Sequence, residues 1–310
     1  MKQFVSLADV TCDLSPEIRA EIGMDDYLMG HIHFDDGRDF YTTLDWDNIQ
    51  REEFYKILSS KNRKVTTAPP SQEEYYEKFK SYVQKGYAVL SMSLSSVLSS
   101  TYGFACTSAE RVKEEIPEAE IYCFDSYRMS GSFGLQVIYA HLLKKEGKSF
   151  EEVIAWLEEN KHCVHQMGPI DDLIFVARRG RLTMGKAIMG SFAGVKPMGD
   201  CNATGYTTVL TKAKGIKSAF DITVKYIEKI ATDPQNQTLL IAHSNREAYA
   251  ELLRQQVEEQ IKPAKLYVTD VYSGCGTNMG PGMIGIYFLG GKITEDMEAE
   301  KEAIKQIVGK

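Results

Sequence analysis

The chain has 310 residues, 43% of them hydrophobic and 25% charged, enough for two compact domains and too apolar for disorder. Its net charge of −7 argues against a nucleic-acid partner, because binding phosphates needs a concentrated basic face. The opening run from Met1 to Asp9 is too short for a signal sequence or a membrane span, so a soluble, cytoplasmic protein without a membrane span is expected.

The first half reads as strand-then-helix units. Phe4 to Ala8 is a strand; a helix follows in which Ser15 caps, Pro16 starts and Gly23 stops. Ser71 and Glu74 form a capping box, and Tyr75, Tyr76, Phe79, Tyr82 and Val83 recur at helical spacing up to Gly86. Tyr87 to Met92 and Ile121 to Phe124 read as buried strands, the latter followed by a helix over Leu135 to Leu143. A second capping box, Ser149 with Glu152, opens a helix reaching about His165. In an open parallel sheet ligands sit at strand carboxyl ends, so Asp9-Val10-Thr11, Ser93 to Thr101 and Asp125-Ser126 are expected to converge on one crevice.

Gly168-Pro169 breaks the pattern and marks a domain boundary. Beyond it come a helix over Met184 to Phe192, a strand over Tyr206 to Thr211, a helix after Ser218 and a strand over Thr238 to Ala242. A helix over Ala248 to Glu259, a strand over Lys265 to Val271 and a terminal amphipathic helix within Thr294 to Lys310 complete the reading. Less regular helices among these strands predict an α+β arrangement with an antiparallel sheet.

Gly180 to Lys186 satisfies GxxxxGK, but Ala187 stands where a magnesium-binding hydroxyl is needed, so a nucleotide is not expected. His31 and His33 share one face of a strand without a third ligand, so no metal is expected. The six cysteines, Cys12, Cys106, Cys123, Cys163, Cys201 and Cys275, contain no CxxC pair and read as free thiols. No cofactor is implied. The informative segment is Ser91 to Thr101, where Ser91, Ser93, Ser95, Ser96, Ser99, Ser100 and Thr101 crowd around three apolar residues. One or two hydroxyls would cap a helix; the rest form a donor cluster suited to a carboxylate or phosphate. Gly274 to Gly282 allows backbone to approach a ligand closely, and reads equally well as a hairpin turn.

These motifs resemble the DegV family. Asp9-Val10-Thr11-Cys12-Asp13-Leu14 is similar to its opening DST-x-DL, Val65 to Ser71 to its P-x-TSQPS loop, and Ser95 to Tyr102 to its SS-x-LSGTY signature. Asp125-Ser126 with Gly131 and Gly134, Arg179 to Leu182 (GGRI), Val195-Lys196-Pro197 (IKP) and Asn278 to Gly282 (H-x-GPG) extend the likeness over nearly the whole chain. The resemblance implies an α/β protein of two domains, with an N-terminal parallel-sheet α/β domain over 1–167 carrying carboxylate-binding loops. A C-terminal α+β domain over 168–310 would close the lipid site and end in a helical extension beyond about Leu289, past the usual family end.

It implies further that the protein binds a long-chain fatty acid without catalysing a reaction, and presents it to a fatty acid kinase that makes the acyl phosphate. Thr67 and Ser99 match the family's carboxylate donors, and Asn278 stands where the family has His. Ser95, Ser96, Ser100, Thr101, Ser126 and Gly280 are expected around them, and Lys214, where the family has Arg, at the partner or phosphotransfer contact. Lys lacks the planar fork of Arg and Asn cannot gain charge near neutral pH, so these two departures bear on handover more than on lipid binding. Two rival readings remain at this stage: a serine-dependent acyl or phosphoryl transferase, for which no activating base is visible, and a carrier or sensor of another amphipathic carboxylate without a kinase.

Overall fold

The computed structural model describes residues 3–24, 26–60, 62–183 and 194–309. The expected helix from Met184 to Phe192 lies outside them, as does the Gly185-Lys186-Ala187 end of the GxxxxGK stretch. One sheet carries the strands Asp26–Leu28, Phe4–Asp9, Ala88–Ser93 and Ile121–Asp125 in that spatial order, all parallel. Phe4–Asp9 and Ala88–Ser93 are buried along their whole length, because helices cover both faces of a parallel sheet. Helices Gln72–Gln84 and Thr101–Glu115 cover one face, where Tyr75, Phe79, Ala105 and Val112 pack on Val5, Leu7 and Val89. Helix Ser130–Lys145 covers the other.

The local punctuation is as read from the sequence. Ser15 caps helix Pro16–Ile22, which Gly23 ends in the left-handed conformation, and both capping boxes, Ser71 with Glu74 and Ser149 with Glu152, are formed. The second of these helices stops at Asn160, however, and His165 belongs to the strand Val164–Met167. That strand pairs antiparallel with Ile284–Leu289 in a second sheet, ordered Lys265–Asp270, Thr238–His243, Ile284–Leu289, Val164–Met167. The second sheet is mixed rather than antiparallel throughout, since Thr238–His243 and Lys265–Asp270 run parallel with helix Glu247–Gln260 as their crossover. A hairpin of Lys196–Cys201 and Thr207–Ala213, with Leu182–Thr183 alongside, adds a third sheet. Helix Glu298–Val308 packs Ala303 and Ile304 into the apolar cluster of helix Gly215–Ile230.

Helix Ser130–Lys145 is buried on all sides in its first half because it lies between the two sheets, touching Leu90 and Phe124 on one side and Leu240 and Tyr287 on the other. Glycine at 134 permits that approach. A Cβ there would lie 2.3 Å from the Cys12 carbonyl oxygen. The same apolar cluster therefore crosses the 167/168 division.

Candidate functional site

The order of the first sheet places a topological switch between Phe4–Asp9 and Ala88–Ser93, since the chain leaves the former toward Asp26–Leu28 and returns on its other side. Outside the carboxyl ends of such a strand pair the two following loops diverge and leave a crevice. Here those loops are Asp9–Thr11 and Leu94–Thr101, tied together by Asp9, whose Oδ2 accepts from the Leu94 amide and Oδ1 from the Thr11 amide, both at 2.8 Å. The Thr11 hydroxyl donates to the same Oδ1. Burial pushes the Asp9 carboxyl up to about 6 against these hydrogen bonds.

Three further elements wall the crevice. The antiparallel sheet of Asp39–Tyr41, His31–Phe34 and Val65–Ala68 brings Gly30, Thr42 and Thr67 to Pro70. From the second half of the chain comes the Gly274-to-Met279 stretch. It is a helix, Ser273–Met279, and not the turn its glycines suggest. Its small residues let it lie against neighbouring side chains: a Cβ on Gly276 would sit 2.9 Å from the Phe54 ring. Asp13 anchors it, accepting from the Tyr272 amide at 2.9 Å and from the Ser130 hydroxyl at 2.6 Å, and burial pushes the Asp13 carboxyl up to about 8.

The resulting cleft, about 850 Å³ with its open mouth, holds Thr67, Ser99, Ser100, Thr101 and Asn278 together. Asn278 Nδ2 donates to Thr67 Oγ1 at 3.4 Å, and the Thr101 amide donates to Ser99 Oγ at 3.3 Å, with the Ser99 and Thr101 hydroxyl oxygens 2.8 Å apart. A hydroxyl oxygen already supplied with a donor keeps its own hydrogen for a ligand, so this group is biased toward binding an acceptor. Not every expected residue is here. Ser95, Ser96 and Ser126 organise the neighbouring turn: the Ser95 amide donates to the Arg128 carbonyl, the Ser96 amide to Asp125 Oδ1, and the Ser126 hydroxyl to the Arg128 carbonyl. Asp125 and Ser126 thus stay out of the crevice. Gly280 ends the Ser273–Met279 helix against Phe175, and Lys214 caps helix Gly215–Ile230 on the surface, outside the cleft.

Residues not singled out from the sequence as site residues complete the site: Thr42, whose oxygen accepts from the Gly30 amide at 2.9 Å, and Met129, with Arg181 and Met279 from the GGRI-like and H-x-GPG-like segments. The last three also line a second cavity, about 550 Å³ with its opening to solvent, whose walls include Met167, Ile170, Val176, Met283 and Ile284. A polar cleft therefore adjoins an apolar chamber across three shared wall residues, one of them carrying a guanidinium. His31 and His33 lie outside both, paired with Glu74 and Asp39; all six cysteines are free, and no metal-binding group occurs among the described residues.

The DegV family model matches residues 6–290. The chain belongs to the DegV family. A DegV domain-containing protein of Clostridium perfringens is 30% identical over 94% of this chain and 98% of its own length. Among solved structures, a fatty-acid-binding DegV family protein from Thermus thermophilus superposes with a TM-score of 0.81 at 24% identity, over 94% of this chain and all of that one. The Streptococcus pneumoniae Fatty Acid Kinase (Fak) B3 protein loaded with linoleic acid superposes at 0.78 with 17% identity, over 93% of this chain and all of that one. These superpositions establish that the fold is that of DegV proteins. The helix Glu298–Val308 lies past the residues that the family model matches, and no helix of the described residues is long and apolar enough to cross a membrane.

Proposed function

We propose that this DegV protein holds a long-chain fatty acid, its carboxylate in the polar cleft among Thr67, Ser99 and Asn278 and its tail in the apolar chamber. The observation that carries this reading is the junction of the two cavities at Met129, Arg181 and Met279, which matches the two-part chemistry of a fatty acid. The fatty-acid binding of the Thermus protein supports it. Burying a sixteen-carbon tail offers on the order of 12 kcal/mol of gross transfer energy at about 0.8 kcal/mol per methylene, and the hydroxyls then orient the head. In this reading residues 1–167 carry the head-group loops and 168–310 close the site.

The test is removal of the head-group donors. Thr67→Ala combined with Ser99→Ala should weaken fatty-acid binding by about 1–3 kcal/mol for each hydrogen bond to a charged acceptor, leaving the fold intact. Unchanged affinity of the double variant in a lipid titration would remove the carboxylate from this cleft. A serine-dependent transferase is the weaker reading, because the Ser99 hydroxyl is partnered by Thr101 and no histidine lines the cleft among the described residues.

We further propose that the bound acid is presented, in the cytoplasm, to a fatty acid kinase, a reading supported by the likeness to the pneumococcal protein. Acyl phosphate formation gathers negative charge beside the carboxylate, where an imidazolium or a guanidinium would stabilise it. Asn278 lines the cleft but carries no charge, and the exposed Lys214 belongs to the surface a kinase would meet. Asn278→His with Lys214→Arg should therefore raise acyl phosphate production by a matched kinase more than it changes lipid affinity. Equal production by the native and changed proteins would show that neither position limits handover, and no production by either would favour a carrier or sensor without a kinase.

A further inference from the structure

Besides Arg181 at the junction, the apolar chamber is lined by two polar side chains in contact with each other, Gln166 and Thr207. Gln166, on the strand Val164–Met167, lines this chamber and not the polar cleft. Its position is held by its backbone amide, which donates to Asp200 Oδ1 at 2.8 Å, while Asp200 also accepts from the Tyr226 hydroxyl and pairs with His165. The amide group of the side chain is half used. Nε2 donates to Thr207 Oγ1 at 3.0 Å, and Oε1 has no hydrogen-bond partner among the described residues.

An amide carbonyl facing an apolar chamber is tolerable while water reaches it and costly once an alkyl chain displaces that water, because the lost hydrogen bond is not replaced. A chain carrying its own hydroxyl at that level would restore the bond. Oε1 only accepts, so it pairs with a donor such as a hydroxyl, while Nε2 gives Thr207 one of its two N–H groups and keeps the other. We propose that the ligand of this protein is a long-chain fatty acid bearing a hydroxyl group part-way along its chain, donated to Gln166 Oε1. This rests on the fatty-acid reading above and names the class of acid within it.

Affinities would be measured for stearic acid, a series of monohydroxystearic acids with the hydroxyl at successive mid-chain positions, and the matching ketostearic acids. One hydroxy position should bind about tenfold tighter than stearic acid, the worth of one buried hydrogen bond, and tighter than its keto counterpart, which leaves Oε1 unpaired. In Gln166→Met, which keeps the length and removes the acceptor, the preference for that hydroxy acid over stearic acid should vanish. Gln166→Glu, which keeps an acceptor at that point, is the second variant in case the Met form folds poorly, and should retain the hydroxyl preference. Equal binding of all the acids to the native protein, or a keto acid that matches its hydroxy partner, overturns the hydroxyl inference and leaves fatty-acid binding standing. Failure of every acid to bind would instead overturn the reading on which it rests.

Discussion

Replacing Met279 with tryptophan should lower fatty-acid affinity at least about a hundredfold, the largest binding effect expected of any single change here. Met279 ends the Ser273–Met279 helix and is one of the three residues shared by the polar cleft and the apolar chamber. An indole at that point would fill the passage, so a tail could no longer continue into the chamber while its carboxylate stays in the cleft. What is lost is tail burial, on the order of 12 kcal/mol gross for a sixteen-carbon chain, whereas loss of a head-group hydroxyl removes about 1–3 kcal/mol. Met279 is only partly buried, so overpacking should cost the fold no more than the usual 1–3 kcal/mol. The check is a displacement titration with a fluorescent fatty acid, beside urea unfolding midpoints for both proteins. Near-native affinity in a stably folded variant would show that no ligand runs through the junction.

Stability should decline as pH rises from about 4 to about 8. Burial raises the folded-state carboxyl of Asp9 to about 6 and that of Asp13 to about 8, both well above the value of an unfolded chain. The folded protein then holds these protons more tightly than the unfolded one, so their contribution is complete below about pH 4 and lost as pH climbs through the folded values. For Asp9, a shift of roughly two units corresponds to ~3 kcal/mol. His165 acts in the same sense. Its burial favours the neutral ring, but the Asp200 charge and hydrogen bond at 2.7 Å outweigh this and hold its pKa above the usual histidine value, so its contribution also fades on the alkaline side. Urea unfolding at a series of pH values should show the slope, and Asp9→Asn, which removes one of the titrations, should reduce it. A stability that increases toward pH 8 would contradict the assignment of these buried groups as proton-holding in the folded state.

The segments whose outcome depends on near neighbours were legible in the sequence. Ser71 with Glu74 and Ser149 with Glu152 satisfy helix amides within three residues, so the two capping boxes need no tertiary partner to be recognised. Apolar runs such as Val89 to Met92 announce a strand buried on both faces, and a hydroxyl-rich loop at its carboxyl end announces a place for an acceptor. Ser99 stood out as part of that hydroxyl-rich loop, whereas Thr67, in the strand Val65–Ala68, and Asn278, in the helix Ser273–Met279, were indicated only by the resemblance to the DegV family.

Only packing decided the rest. Gly274 to Gly280 reads as a turn on its glycines, yet most of it folds as a helix because those missing side chains let it lie against Val10, Phe54 and Tyr55, and the gain in contact outweighs a poor intrinsic propensity. His165 left the preceding helix for a strand because Ile284–Leu289, more than a hundred residues away, offers it an edge. Ser95, Ser96 and Ser126 look no different from Ser99 in sequence. The Ser95 and Ser96 amides and the Ser126 hydroxyl are spent on Arg128 and Asp125, while Ser99 faces the cleft. Arg181, Met129 and Met279 belong to no shared motif, and they meet only where the loops of the first sheet face the Ser273–Met279 helix. Sequence determines where the chain can turn, cap and bury itself, since those preferences act over a few residues. Which side chains share a cavity is decided by contacts between segments far apart in the chain, and no local preference encodes them.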